Sequence, residues 1–281
     1  MIQNAILPAT IDPQRYHKNY VMYFGNALGA AGVRVSYEGH ARGGDRPWGR
    51  GLFGAVLDGR PAVLDYSDHI ECGICDESGL PRLKYSYSRC HLPPDGKMFP
   101  FSPTSFLDWD QFERTRKGIV YGAGDKILFA QALHHGTPCY ERRALLRRII
   151  PAEFGARCDT NFYPLEQYWQ QINQALVRVF APGTRNDMLD RGQGQYMALG
   201  CCTISPPLAT VLPGYVCLEP WIHYVPCEPD YSDVCAKIRW CEEHRPECLA
   251  IGAQAAEVFA RCSTPSALVA WAEKCMGARS E

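Results

Sequence analysis

Arginines and glycines at the end of an apolar run are the first residues in this 281-residue chain that point to chemistry. The run Ala175 to Phe180 (ALVRVF) has the composition of a buried strand and leads straight into Pro182-Gly183-Thr184-Arg185-Asn186-Asp187. Arg191-Gly192-Gln193-Gly194-Gln195 then opens a helical segment that closes at Gly200. A strand followed by such a loop and a helix N-terminus offers unpaired amide donors and a cation to an anionic ligand, above all a diphosphate. Arg142 and Arg143, early in a preceding arginine-rich helical stretch, can reach the same sheet edge, and the planar guanidinium fork matches phosphate oxygens. The alternative is an ordinary βα loop whose glycines serve only the turn. No GxxxxGK[ST] run occurs, so a P-loop is excluded.

Two further groups invite attention. Asp65, Asp68 and His69 lie at the end of a short apolar strand, Pro61 to Tyr66, where a general base can sit; Asp45 and His40 lie in the loop Gly39 to Gly51. Each is a candidate catalytic residue, with Asp68 first, then Asp45 and His69. Cys72-x-x-Cys75, with Cys90 and His91, has ligand types that suit tetrahedral zinc. The chain holds 14 cysteines, however, and no second CxxC follows, so free thiols in a loop are the competing reading.

The elements that would position these residues follow from periodicity. Ala5 to Thr10 reads as a strand, and Tyr16 to Ala31 as a helix with Val21, Phe24, Leu28 and Ala31 on one face. Gly32 stops it, and Val33, Val35 and Tyr37 alternate as a strand. Leu52 to Leu57 reads as helical or irregular. Residues 91–118, with Pro93, Pro94, Gly96, Pro100 and Pro103, form a connector that places a domain boundary at 117/118. Beyond it come a strand at Lys126 to Ala132, helices at Tyr140 to Ile150 and Leu165 to Gln174, the Ala175 strand, a helix at Asp190 to Leu199 and a strand at Cys201 to Ser205. Three helices close the chain, the last capped by Thr264 with Pro265. Alternation of strands and helices predicts an α/β fold in two domains, 1–117 and 118–281.

Composition narrows the function. Net charge is −1, which gives no global attraction for nucleic acid or an anionic membrane. The uncharged stretch Gly192 to Leu218 is interrupted by Pro206, Pro207, Pro213 and Gly214, so it predicts no spanning helix. With no signal-peptide pattern at the start, the expectation is a soluble, cytoplasmic protein without an integral membrane segment.

The run from Arg191 to Ile204, together with Pro220-Trp-Ile-His-Tyr-Val-Pro226, Asp230-Tyr-Ser-Asp-Val and Ile238-Arg-Trp240, resembles the carboxyl-terminal part of CAP10-like (family 90) and spore-maturation-type glycosyltransferases of GT-B fold. The resemblance spans roughly residues 120–265. It implies two Rossmann-like domains facing a cleft, followed by a helical tail. It further implies a nucleotide-sugar donor of UDP or GDP type in the carboxyl-terminal domain, a glycan or other hydroxyl acceptor, and metal-independent transfer. Substrate-binding roles then fall to Arg142, Arg143, Gly183, Asp187, Arg191 and Gln195, with Gln195 standing where many members carry glutamate. The reading from another class is a non-catalytic nucleotide- or glycan-binding protein.

Overall fold

A computed structural model describes residues 2–8, 18–38, 52–66, 80–85, 87–88, 98–101, 109–133, 135–183 and 185–277. The chain is mixed α/β and divides into two compact units. The first is Met1–Phe112 with Thr210–Val216 and Arg261–Glu281; the second is Glu113–Ala209 with Cys217–Ala260. The first crossing falls at Phe112/Glu113. The carboxyl-terminal half is nevertheless not one piece, since two of its segments join the first unit.

In the first unit, β1 (Asn4–Leu7), α1 (Lys18–Ala30) and β2 (Arg34–Tyr37) form a parallel βαβ crossover. Helix α1 buries Val21, Phe24 and Leu28, the spacing legible in the sequence. It ends where Gly32 takes φ 83°. Next come β3 (Leu52–Leu57) and β4 (Arg60–Asp65), an antiparallel hairpin rather than the helical or irregular segment expected at 52–57. Its turn is Asp58-Gly59, with φ 47° and 75°, and positive φ at both central residues suits the twist of paired strands. The Asp-Gly pair is the signal that marks the hairpin; the apolar run LFGAVL shows no alternation because β3 is an interior strand. With β5 (Arg82–Lys84) and β6 (Met98–Pro100) the sheet order is β2-β1-β3-β4-β5-β6. Strand β3 runs antiparallel to both neighbours and the other pairs are parallel.

The division between units falls inside α2 (Trp109–Lys117). The second unit runs through β7 (Lys126–Leu128), α3 (Tyr140–Phe154), β8 (Cys158–Asp159), α4 (Leu165–Gln170), β9 (Ala175–Val179), α5 (Arg191–Ala198) and β10 (Thr203–Ser205). After β11 (Val211–Leu212) and β12 (Val216–Cys217), which pair with each other, come β13 (Val225–Pro226), α6 (Val234–Glu243) and α7 (Arg245–Ser263). The sheet order is β13-β10-β9-β7-β8, and every pair is parallel. Read from β8, the chain order is second, first, third, fourth, fifth: a doubly wound sheet, whose winding reverses between β7 and β9. Apolar residues of β7, β9 and β10 pack with Leu146 and Ile150 of α3 and Ile238 and Cys241 of α6.

The chain ends with α8 (Pro265–Gly277), which belongs to the first unit. Thr264 caps it as expected, its Oγ1 accepting from Ala267 N at 3.4 Å. The Trp271 indole donates to Pro100 O at 2.7 Å, and Leu268, Val269 and Ala272 enter the same core as α1. Among the described residues no helix is long and apolar enough to cross a membrane.

Candidate functional site

The carboxyl ends of β7 and β9, where the doubly wound sheet reverses, are where a parallel α/β sheet ordinarily receives ligands. The backbone there is held by side chains. Gln131, just beyond β7, accepts from Ala181 N at 2.6 Å, so the two strand ends are tied across the reversal. Arg143 of α3 donates Nε to Ala181 O at 3.2 Å and a terminal nitrogen to Ala132 O at 2.9 Å. It also lies 3.7 Å from an Asp190 carboxylate oxygen. Arg142, its neighbour, donates to Gly183 O at 2.7 Å and Pro182 O at 3.3 Å. The Nε of Arg142 is buried and has no hydrogen-bond partner among the described residues.

Beneath this layer sits Arg178, fully inside β9 and missed by sequence reasoning. It donates to Ala130 O at 3.1 Å, and its guanidinium carbon lies 4.2 Å from the Tyr196 ring centroid, 4.5 Å from Tyr168 and 5.0 Å from Phe180. Burial favours the neutral form, but Tyr168, Tyr196, Cys201 and Asp190 together outweigh it and hold the pKa of Arg178 above its ordinary value. A lone charge inside ALVRVF was the sequence signal: a cation in a buried strand needs a dedicated surrounding.

The loop after β9 is fixed by its own polar residues. Arg185 pairs with Asp187 through contacts of 2.9 and 2.6 Å, so Asp187 is matched to a neighbour. Asn186 donates to Pro229 O at 2.7 Å and accepts from the Tyr231 hydroxyl at 2.9 Å. That same hydroxyl reaches Phe180 O at 3.3 Å. Tyr231 belongs to the Asp230-Tyr-Ser-Asp segment, so this part of the tail is anchored on the loop at the reversal. Tyr224 in Pro220–Pro226 is also a buried anchor, accepting from Leu208 N at 2.9 Å before β13 begins.

Helix α5 starts at the same edge. Asp190 is its N-cap and takes Gly192 N at 2.8 Å, which occupies one of the free amides there. A Cβ on Gly192 would stand 2.6 Å from the Tyr168 hydroxyl, so packing accounts for that glycine. At Gly183, by contrast, nothing lies within 4 Å of an added Cβ. Gln195 turns inward: its Oε1 accepts from the Trp169 indole at 3.1 Å and holds α4 to α5. The structure therefore gathers Arg142, Arg143 and Gly183 around the reversal and places Arg191 at the first position of α5. It sets Gln195 in the interior. Asp45, Asp68 and His69, and the candidate zinc ligands Cys72, Cys75, Cys90 and His91, lie outside the described residues. Asp65 ends β4 as a buried group, 3.3 Å from Lys84 Nζ and 3.5 Å from Arg82 Nε.

A second cluster occupies the opposite, amino-terminal edge of the same sheet. Cys202 before β10, Cys241 in the last turn of α6 and Cys248 in the first turn of α7 are all buried, their sulfurs within 4.8 Å of one another. Cys202 is pushed well up by its hydrogen bonds to Cys241 and Cys248 and by burial. The bond from Cys202 pulls Cys241 down, but its own bond to Cys248 and burial outweigh this and leave it raised. Cys248 accepts from both and lies well below the ordinary thiol range. Sequence spacing concealed this group, because its members come from three elements.

These features define a mixed α/β protein with an arginine-lined reversal point in a parallel sheet. No protein-family profile matches the chain. A stretch of 42 residues is 40% identical to part of an uncharacterized protein, 035R, of Invertebrate iridescent virus 3; it makes up 15% of this chain and 4% of that protein.

Proposed function

We propose that the chain is a glycosyltransferase that binds the diphosphate of a UDP- or GDP-type sugar donor at the carboxyl edge of the second unit's sheet. The observation that carries this reading is the gathering of Arg142, Arg143 and Arg178 at the β7/β9 reversal, with Arg191 opening the adjacent helix. As the bond to the sugar breaks, negative charge grows on the departing diphosphate, and fixed guanidinium groups stabilise it without reorganising. Asp190 already takes one amide of α5, so arginine rather than the helix terminus carries most of the phosphate recognition. Arg143 is engaged with two carbonyls and a carboxylate and acts as the frame. Arg142, whose Nε lacks a partner, and Arg191 are the groups that meet the donor.

The resemblance of the Pro220–Trp240 segment to GT-B glycosyltransferases supports the same reading, since Tyr231 anchors the loop that carries Gly183. The second unit then corresponds to the donor-binding half of a two-domain GT-B enzyme. Asp68 is the first choice for the base that takes the acceptor proton, followed by Asp45 and His69. The test is a thermal-shift screen of the full chain with UDP, GDP, CDP and their sugars, followed by release of free diphosphate in the presence of sugar acceptors. Stabilisation by one nucleotide class, lost in Arg142→Ala and Arg191→Ala, is the expected result. No stabilisation by any nucleotide would sink the reading; stabilisation without turnover would leave a binding protein.

A further inference from the structure

We propose that Cys202, Cys241 and Cys248 form a three-thiolate site for a zinc-class cation, with the fourth coordination position opening on the cleft beside Cys248. The three sulfurs already lie within 4.8 Å of one another. Zinc–sulfur bonds of about 2.3 Å set the sulfurs of a tetrahedral site about 3.8 Å apart, so closing on the ion needs movements of about 1 Å or less. Thiolate sulfur is soft and selects zinc-like ions over magnesium or calcium.

The convergence is built into the fold. A Cβ on Gly252 would stand 2.0 Å from Gly200 O and 3.2 Å from Cys202 N, so glycine there lets α7 lie directly on the turn before β10. Cys248 lies one helical turn earlier on the same face and therefore meets Cys202. Cys241, three residues after the buried Ile238, faces the same sheet edge from α6. Its carbonyl oxygen lies 3.8 Å from the Cys248 sulfur.

Access and charge are supplied on one side. Cys248 lines a small cleft with Tyr121, Leu176, Arg245 and Leu249, which can admit the ion and leave a water as its fourth ligand. Three thiolates outnumber the two charges of the cation, and Arg245 on the same cleft offsets the excess. Binding releases the thiol protons to solvent. The site lies at the opposite edge of the sheet from the β7/β9 reversal, so its role is to fasten α6 and α7 to the turn before β10.

The experiment uses the full, reduced chain, stripped of metal and titrated with Co2+ and Cd2+ as optical probes and with Zn2+. One equivalent should bind with sulfur-to-metal charge-transfer absorption and raise the melting temperature. Cys248→Ala and Cys241→Ala should weaken binding at least about tenfold, while Cys72→Ser with Cys75→Ser should leave it intact. Mass-mapped alkylation of the unmodified chain gives a second measure if a variant fails to fold: Zn2+ should protect Cys202, Cys241 and Cys248 together. Equal alkylation of Cys248 with and without Zn2+ would overturn the proposal. So would binding that survives Cys248→Ala, or binding lost only in the Cys72/Cys75 variant.

Discussion

Arg142 donates from its guanidinium to the carbonyl of Gly183 at 2.7 Å, tying the start of α3 to the loop that leaves β9. Arg143 makes the deeper tie, to Ala181 and Ala132, so adjacent arginines on one helix take different tasks. The difference is one of burial: Arg143 is 7% exposed, whereas Arg142 is only partly buried.

Arg143→Met should therefore act on stability. It strands the carbonyls of Ala132 and Ala181 and removes the partner of Asp190. The cost should be on the order of 3 kcal/mol, read as a lowered urea midpoint. Arg142→Ala should move the midpoint far less and instead abolish nucleotide-induced stabilisation. Equal destabilisation by the two would show that neither is held back for a ligand.

Arg178 supports a separate prediction. Its planar cation lies against Tyr168, Tyr196 and Phe180, and desolvated cation–π contacts contribute about 2 kcal/mol. Lysine keeps the charge but loses the plane and the donor to Ala130 O. Arg178→Lys should thus cost about 1–2 kcal/mol in urea unfolding. An unchanged midpoint would mean that the aromatic surround does not depend on the guanidinium.

How far these roles were readable from sequence depends on what each residue opposes. The strand–loop–helix run at 175–200 was legible because strand propensity, Gly200 and Asp190 agree locally, and the arginines of α3 stood out by type. The 52–57 strand was not, since its apolar run lacks a period and its evidence lies in the Asp58-Gly59 turn. Gln195 owes its expected role to its place in the motif; its contact with Trp169 is a tertiary fact that no spacing encodes. Arg178 shows in the sequence only as a lone charge inside ALVRVF, because the rings of Tyr168 and Tyr196 that surround it come from other elements. The Cys202, Cys241 and Cys248 cluster depends on Gly252 admitting a close approach, which no cysteine count reveals.

Alkali should loosen the fold through thiols that folding shields from water. Burial, reinforced by the Asp159 charge, pushes Cys158 up to about 11. Burial likewise pushes Cys275 up to about 12, although Lys274 opposes it. In the unfolded chain these thiols ionise near 9.0. Their raised values stabilise the folded state fully below that pH, and the contribution fades as pH rises toward the folded values. Cys248, held low, has the opposite sign, and its contribution is complete above the unfolded value. Melting temperature in the metal-free, reduced chain should therefore fall between about pH 9 and 11. Cys158→Ala with Cys275→Ala should make that decline shallower; an unaltered slope would assign it to the other raised thiols, Cys201, Cys202, Cys227 and Cys241 among them, and to the buried tyrosines.

Gly252→Ala tests the close approach that brings α7 onto the turn before β10. The added methyl meets the Gly200 carbonyl at 2.0 Å, and a backbone atom on that side cannot rotate away. Helix propensity favours alanine by about 1 kcal/mol, so a purely local effect would stabilise the chain. Overpacking of this kind costs about 1–3 kcal/mol or more, and it should win because relief requires α7 itself to shift. The variant should unfold at lower urea, and Cys248 should become easier to alkylate as it moves from Cys202. A gain in stability would show that α7 has room to move at Gly252, and that the three cysteines are brought together by some other contact.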